Sequence, residues 1–255
     1  MRYYMDIFKS WIVEQPIAHR GFFNYTDAPE NSLKAFERAI DNHYAIELDV
    51  QVIADSTPVV FHDNELSRLT GKDGYIKNLK AQDLPKYTLQ SSKQTIPTLA
   101  QVLKFINGKT PILLEVKNSS FKPQDDCAKI YDVIKGYKGE IAIQSFNPYA
   151  LEWFAQNAPE YYRGLLSSMW KKKNRDVEPD FPSSFITRFA TSRMLLFKRA
   201  KPDFINYQIR DLPNRAVKKH KNIPLLCWVA YNQEQYTDGM KKADNIIFQD
   251  FQPKI

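Results

Sequence analysis

Cysteine is scarce: Cys127 and Cys227 are the only two in 255 residues. They form no Cys-x-x-Cys pair and suggest no disulfide framework, which speaks against a small, staple-held secreted scaffold. Two buried, reduced thiols in a cytoplasmic protein are expected. Long apolar runs are also missing. No uncharged stretch approaches the eighteen residues a membrane-spanning helix needs. At the N-terminus, Asp6 and Lys9 interrupt any signal-like apolar segment, and no small-residue cleavage site follows. Zinc-finger spacings and RRM-type aromatic motifs are absent, so no nucleic-acid partner is expected. Histidine is rare, with four in the chain, and this makes the position of each informative.

What is present suits one globular chain. Hydrophobic residues make up 43% and charged residues 25%, enough apolar surface to bury a core and too little charge to suggest disorder. The net charge of +7 and pI of about 9.1 favour anionic partners, phosphorylated small molecules among them.

Short β-rich runs alternate with helical patterns throughout. Strands are predicted at Ile17–Arg20, Tyr44–Val52 (extended by Pro58–His62 after a turn), Pro111–Val116, Ile141–Ser145, Tyr162–Leu166, Phe204–Tyr207, Leu225–Val229 and Asn245–Phe248. Helices are predicted at Ser32–Asn42, Thr98–Asn107, Asp125–Lys135, Tyr149–Asn157, Phe185–Arg199, Arg215–His220 and Gln233–Lys242. Eight strands with intervening helices argue for a single α/β domain over residues 1–255, a TIM (β/α)8-type barrel. The polar, turn-rich stretch 63–95 reads as a small excursion inserted after the second strand, above the barrel. No eighth helix is expected after the last strand. A helical segment from Tyr3 to Val13 is expected to cover that gap or the barrel floor.

The chemistry concentrates early in the chain. Residues i and i+2 of a strand share a side, so Glu47 and Asp49 face one way on the second strand, and Glu115 and Lys117 on the third. Barrel enzymes place their sites at the C-terminal ends of strands, where these residues are expected. Three converging carboxylates repel one another, and a divalent cation resolves the conflict. All-oxygen ligands suit Mg²⁺, Ca²⁺ or Mn²⁺ rather than zinc. The competing arrangement is two ion pairs, Glu47 with Arg20 and Glu115 with Lys117. His19 and His62 end neighbouring strands, where one can protonate a leaving alkoxide while the other activates a nucleophile. His43 and His220 fall on helix or loop positions without carboxylate company. Arg20 offers a planar fork to phosphate oxygens and Lys117 a compact charge.

In order, His19-Arg20-Gly21, Pro29-Glu30-Asn31-Ser32, Glu47-Leu48-Asp49-Val50, Val59-Val60-Phe61-His62-Asp63, Ile96-Pro97-Thr98-Leu99 and Leu114-Glu115-Val116-Lys117 resemble the glycerophosphodiester phosphodiesterase family. The resemblance implies hydrolysis of a glycerophosphodiester to glycerol 3-phosphate and an alcohol. It implies His19 and His62 as the acid–base pair, with Glu47, Asp49 and Glu115 as metal ligands. Arg20 and Lys117 would lie near the phosphate, and Glu30 and Asn31 would support the site or simply begin a helix. Trp228, in Trp228-Val229-Ala230-Tyr231, matches a family Trp whose ring would pack on glycerol or a quaternary ammonium, with a core role as the rival. The family's Ile-Thr-Asp near the end becomes Ile247-Phe248-Gln249, a departure expected to touch substrate contacts and not the histidines.

Two rivals share these residues. One is a lysophospholipase D-type enzyme acting on lysophospholipids at a membrane. Its support is the basic, aromatic segment 169–199, although an outer barrel helix with solvated cations explains that segment better. The other is a catalytically silent barrel that binds phosphorylated ligands, disfavoured because the acid–base pair and the acidic trio are intact.

Overall fold

The computed structural model describes residues 6–90, 92–118, 120–170 and 185–254. Eight parallel strands close into a barrel: β1 (Ile17–Ala18), β2 (Ala45–Val52), β4 (Ile112–Val116), β5 (Ile141–Ser145), β6 (Tyr162–Ser167), β7 (Phe204–Gln208), β8 (Leu225–Ala230) and β9 (Asn245–Phe248), with β1 pairing both β2 and β9. The (β/α)8 expectation is met. β3 (Pro58–Val60) differs from its reading as an extension of β2. It turns back antiparallel, with Val60 beside Val50. The end of β2 therefore takes β3 on one edge while its other edge stays paired with β4 as far as Val50, and β3 returns His62 to the rim.

Alternation along the strands divides two cores. On β2, Ile46, Leu48 and Val50 pack outward with Phe36, Leu99, Val102 and Ile130 of the surrounding helices. Ala45, Leu113, Ala142, Phe204, Leu226 and Ile247 point inward and fill the barrel floor. Gly164 on β6 is part of that fit. A Cβ there would sit 2.2 Å from the Phe204 ring, so the large ring and the missing side chain are complementary.

Helix ends follow local chemistry. Ser32 caps α2 (Leu33–Asp41), its Oγ accepting from Ala35 N at 3.2 Å. Thr98 and Gln101 form a reciprocal capping box at α4 (Leu99–Ile106), which Asn107 ends at φ 48°. α5 (Gln124–Ile134), α6 (Pro148–Asn157) and α9 (Gln233–Met240) lie within a residue or two of expectation. The single helix expected over Phe185–Arg199 is two, α7 (Phe185–Ser192) and α8 (Phe197–Ala200). Between them Met194 adopts φ 52° and buries its side chain in the outer core. The helix expected at Arg215–His220 is a single 3-10 turn, Val217–Lys219. Asn214 Oδ1 captures Ala216 N at 2.7 Å in a local turn, and the basic run supplies no apolar stripe to extend it. Most of the basic segment beginning at Met169, residues 171–184, lies outside the described residues.

At the N-terminus the expected helix is broken. A 3-10 turn (Ile7–Lys9) precedes α1 (Trp11–Glu14), and Tyr3 to Met5 lie outside the described residues. The floor placement is observed. Ile12 is fully buried in the inward cluster, and the Asn245 side chain donates to Ile12 O and Gln15 O at 2.8 Å each. The stretch from Asp63 to Ile96 carries α3 (Ser67–Thr70) and two 3-10 turns. Leu66, Leu69, Ile76, Leu84 and Leu89 pack with Val59 and Phe61 in a cluster separate from the two barrel cores. No described helix is long and apolar enough to cross a membrane.

Ile12→Ala leaves a cavity in the barrel floor and is expected to destabilise the protein by about 2 kcal/mol or more. Urea unfolding measures this, and an unchanged midpoint rejects the floor-plug role.

Candidate active site

Ile17 and Ala18 end β1 at the barrel mouth, and the chain must turn at once to let the next residues face the centre. Arg20 takes φ 54° and Gly21 φ 80°. A Cβ on Gly21 would lie 3.0 Å from the Ala35 backbone, so α2 can pack here only against glycine. The turn points the Arg20 N–H at Glu47, donating to Oε2 at 3.0 Å.

Glu47 and Asp49 of β2 and Glu115 of β4 project inward together. Each offers a carboxylate oxygen within 4.8 Å of the others, and all three residues are buried. Glu47 stands third of eight in β2, nearer its N-terminal end than expected, because the outer part of that strand belongs to the hairpin. Burial, and then the charges of Asp49 and Glu115, push the Glu47 carboxyl well above the usual range. Asp49 is driven up by burial but more strongly down by His62, Arg20 and Lys117, and its carboxyl ends below the usual range.

The competing arrangement, in which the Arg20 side chain pairs with Glu47, does not occur. The guanidinium instead holds Glu30 (Nη1 to Oε1, 2.6 Å) and lies against Asp49 (Nε to Oδ2, 3.3 Å). Arg20 is thus a bridge between two acids rather than an open fork. Among the described residues no cationic side chain pairs with Glu47. Glu115 does approach Lys117, at 3.5 Å. Glu47 instead receives a neutral hydrogen bond from Gln144 Nε2 at 3.3 Å, and Gln144 Oε1 accepts from Asn206 Nδ2 at 2.8 Å. A line of amides on β5 and β7 therefore crosses the barrel beneath the acids.

Asn31 binds Asp49 twice, donating from Nδ2 to Oδ2 at 2.8 Å and accepting from Asp49 N at 3.3 Å. Glu30 is gripped by both Arg20 and Arg68, the latter through two contacts of 2.8 Å. Arg68 also reaches Asp63 at 2.6 Å, and Asp63 Oδ1 lies 2.7 Å from His62 Nδ1. Arg20, Glu30, Arg68, Asp63 and His62 form one chain of charge along the rim.

His62 Nε2 lies 3.0 Å from Lys117 Nζ. An ammonium has no acceptor, which assigns the lone pair to Nε2 and the hydrogen to Nδ1, facing Asp63. His19 Nδ1 lies 2.7 Å from Gln249 Oε1. Here the sequence reading needs correcting, because the Gln249 departure falls directly on a histidine. Both imidazoles line one cleft of about 610 Å³, open to solvent, together with Arg20, the three acids, Gln144 and Trp228. Lys117 meets the site through Glu115 and His62. The other two histidines stand apart: His43 ends α2 at φ 60°, and His220 stacks on Phe197 with ring centroids 3.6 Å apart.

Trp228 carries a buried indole N–H without a hydrogen-bond partner among the described residues. Phe146 meets its ring edge-on at 5.7 Å and lies 5.2 Å from Trp170, so one wall of the cleft is aromatic. Arg68 was not singled out from sequence, and Asp63, Phe146 and Trp170 were given no role of their own in the site. The adjacency of Asp63 to His62 was a usable signal, but nothing local marks Arg68.

The acidic trio fits a hard divalent cation. Its donors are all oxygen, and Glu47 is held towards its neutral form by two neighbouring acids, the situation a bound cation would reverse.

Fold and site together define a TIM-barrel protein whose mouth combines an acidic metal-type cluster with two imidazoles and flanking cations. Residues 19–249 match the Glycerophosphoryl diester phosphodiesterase family, and the chain belongs to that family. It is 40% identical over 232 residues, 86% of each chain, to YhdW of Bacillus subtilis, a provisionally named glycerophosphodiester phosphodiesterase. It is 33% identical over 160 residues to a glycerophosphodiester phosphodiesterase of Caldanaerobacter subterraneus, a match spanning 59% of this chain and 65% of that protein. Among solved structures it resembles an Oleispira antarctica phosphodiesterase in complex with the product sn-glycerol-3-phosphate. That likeness has a TM-score of 0.76 at 24% identity, covers 94% of both chains, and concerns the fold.

The rim network sets a pH dependence. Burial raises Asp63, but hydrogen bonds from His62 and Arg68 outweigh it and hold its carboxyl at about 2, against an ordinary 3.8. A depressed carboxylate stabilises the fold above its unfolded value and loses that contribution as pH falls through the folded one. Arg68→Met removes one of the two hydrogen-bonding partners of Asp63 and, with Arg68 about half exposed, is expected to lose on the order of 1 kcal/mol at pH 6. The gap to wild type should narrow between pH 4 and 2, read from urea midpoints. A gap independent of pH rejects the network as its origin.

Proposed function

We propose that the protein hydrolyses glycerophosphodiesters to glycerol 3-phosphate and an alcohol. The observation that carries this reading is the meeting of Glu47, Asp49 and Glu115 with His19 and His62 around one cleft. Family membership supplies the substrate class.

Glu47, Asp49 and Glu115 are the groups that would hold Mg²⁺, Ca²⁺ or Mn²⁺. Such an ion supplies positive charge to the phosphoryl oxygens as negative charge develops there. His62, backed by the Asp63 carboxylate, is suited to take up a proton at Nε2 once Lys117 turns from it to the phosphate, and to deliver that proton to the departing alkoxide. His19, faced by an amide and half-buried beside Arg20, stays neutral and takes the proton of the attacking oxygen. Lys117 stands beside His62, placed to neutralise phosphate charge. Arg20 keeps Asp49 and Glu30 in place and adds its field to the anion site. Glu30 and Asn31 support this constellation, and the aromatic wall of Trp228, Phe146 and Trp170 receives the glycerol or the alcohol. The stretch 63–95 is an excursion of the same domain, and its contribution is Asp63 and Arg68.

A second reading, hydrolysis of lysophospholipids, is favoured by apolar exposure at the same mouth. Phe121, Met169 and Tyr231 follow β4, β6 and β8, and all are exposed.

A substrate panel tests both readings. Glycerophosphocholine, glycerophosphoethanolamine, glycerophosphoglycerol and lysophosphatidylcholine are compared with Mg²⁺, Ca²⁺ or EDTA. Glycerophosphodiester turnover should vanish with chelator and return with cation. Turnover indifferent to EDTA rejects the metal assignment, and preference for lysophosphatidylcholine favours the second reading. His19→Ala and His62→Ala are each expected to lower kcat by about 10²–10⁴-fold. Undiminished kcat in His62→Ala rejects the acid–base pair.

A further inference from the structure

We propose that Gln249 is a positioning residue that fixes the tautomer of His19, and that Asp250 and Tyr25 hold Gln249 in the orientation this requires. The inference rests on the acid–base role proposed for His19.

An amide oxygen only accepts, so the 2.7 Å contact between Gln249 Oε1 and His19 Nδ1 places the hydrogen on Nδ1. Nε2 is left with the lone pair, the form a base needs. The amide could by itself turn half a revolution and present its NH2 instead. His19 would then have to accept at Nδ1, and the tautomer would reverse. Asp250 removes that freedom. Gln249 Nε2 donates to Asp250 Oδ2 at 2.9 Å, and a carboxylate has no hydrogen to offer an amide oxygen in the flipped state. Tyr25 OH donates to the same Oδ2 at 3.0 Å, tying the far end of the relay to the loop after β1. The backbone fixes both ends as well: His19 N donates to Phe248 O at 3.0 Å, and Gln249 N to Ala230 O at 2.9 Å.

The use of an amide has a consequence for charge. His62 meets a carboxylate at the same distance, 2.7 Å, at which His19 meets an amide. A carboxylate orients the ring and strongly stabilises its charged form, whereas an amide orients it and favours the charge only weakly. The charged and titratable groups around His19 are Arg20, Asp49 and His62. Burial, and then Arg20, hold its imidazole down at about 3. Gln249 thus selects a nitrogen while its weak pull towards the charged ring is outweighed by burial and Arg20, and the two imidazoles at one cleft are set to opposite tasks.

The test uses the full-length protein labelled with ¹⁵N-histidine, comparing wild type, Gln249→Ala, Gln249→Glu and Asp250→Ala. Gln249 is half-buried and Asp250 exposed, so none of these changes opens the core. In wild type, His19 should show a protonated Nδ1 and an unprotonated Nε2. Gln249→Ala should mix the tautomers and lower kcat about tenfold or more, with KM changed less than about twofold. Asp250→Ala should show a smaller change of the same kind. Gln249→Glu should restore the Nδ1-protonated ring and move the acidic limb of kcat/KM to higher pH. Wild-type tautomer and kcat in Gln249→Ala overturn the proposal, as does Gln249→Glu behaving like Gln249→Ala. A wild-type protein without phosphodiesterase activity overturns the functional reading instead, and the nitrogen shifts still report on the relay.

Discussion

Mutual repulsion among Glu47, Asp49 and Glu115 is the constraint around which the barrel mouth is arranged. Three carboxylates that approach within 4.8 Å in a buried setting cannot all be charged without compensation. The protein compensates unevenly. Asp49 receives Arg20 and one hydrogen bond from the Asn31 amide, and Glu115 receives Lys117. Glu47 receives a backbone N–H and an amide but no cationic side chain among the described residues. The uncompensated charge is therefore localised on the acid that lies deepest along its strand. A divalent ion bound by all three acids, as proposed, would supply the positive charge that Glu47 lacks among the described side chains.

The same logic explains why so much polar structure is packed around a small site. Arg20 is pinned by Glu30, Glu30 by Arg68, and Arg68 by Asp63, which faces His62. A buried polar group left without a partner is costly, so each member of the chain needs the next. The chain ends on an imidazole, so the rim that neutralises charge also orients a proposed catalytic group. Within the barrel, Asn206 and Gln144 carry the arrangement across to β7 with neutral amides, which add orientation without further charge.

The barrel was legible because two periodicities are written plainly. Alternation on β2 separates Ile46, Leu48 and Val50 from Glu47 and Asp49, and helical spacing marks Leu33, Phe36 and Ala39. Ser32 and Thr98, where two of the predicted helices begin, cap them with their side chains, which is local chemistry. What sequence did not yield depends on the third dimension. The break at Met194 reflects where its side chain can be buried. The reversal at β3 depends on pairing between Val60 and Val50 that a turn signal alone does not orient. Around the site, Glu47 and Asp49 could be seen because they sit two residues apart on one strand, and Glu115 because it stands near the end of the next parallel strand. Arg68 and Gln249 could not, since one comes from a short helix beyond the rim and the other from the opposite end of the chain.

Gln249 shows most clearly why a motif departure should be located before it is weighed. In the sequence, the residue after Phe248 lies 230 positions from His19, and a change there looks like an adjustment to the substrate pocket. Barrel closure overturns that distance. β9 pairs with β1, with Phe248 beside Ala18, so the residue following each strand emerges at the same point of the rim. Gln249 and His19 are neighbours because the first and last strands must meet to close the barrel. An amide in place of an acid at this position leaves the ring's orientation intact and withdraws a negative charge. The departure therefore acts on the basicity of an imidazole, and the closure of the fold brings that effect to the centre of the site.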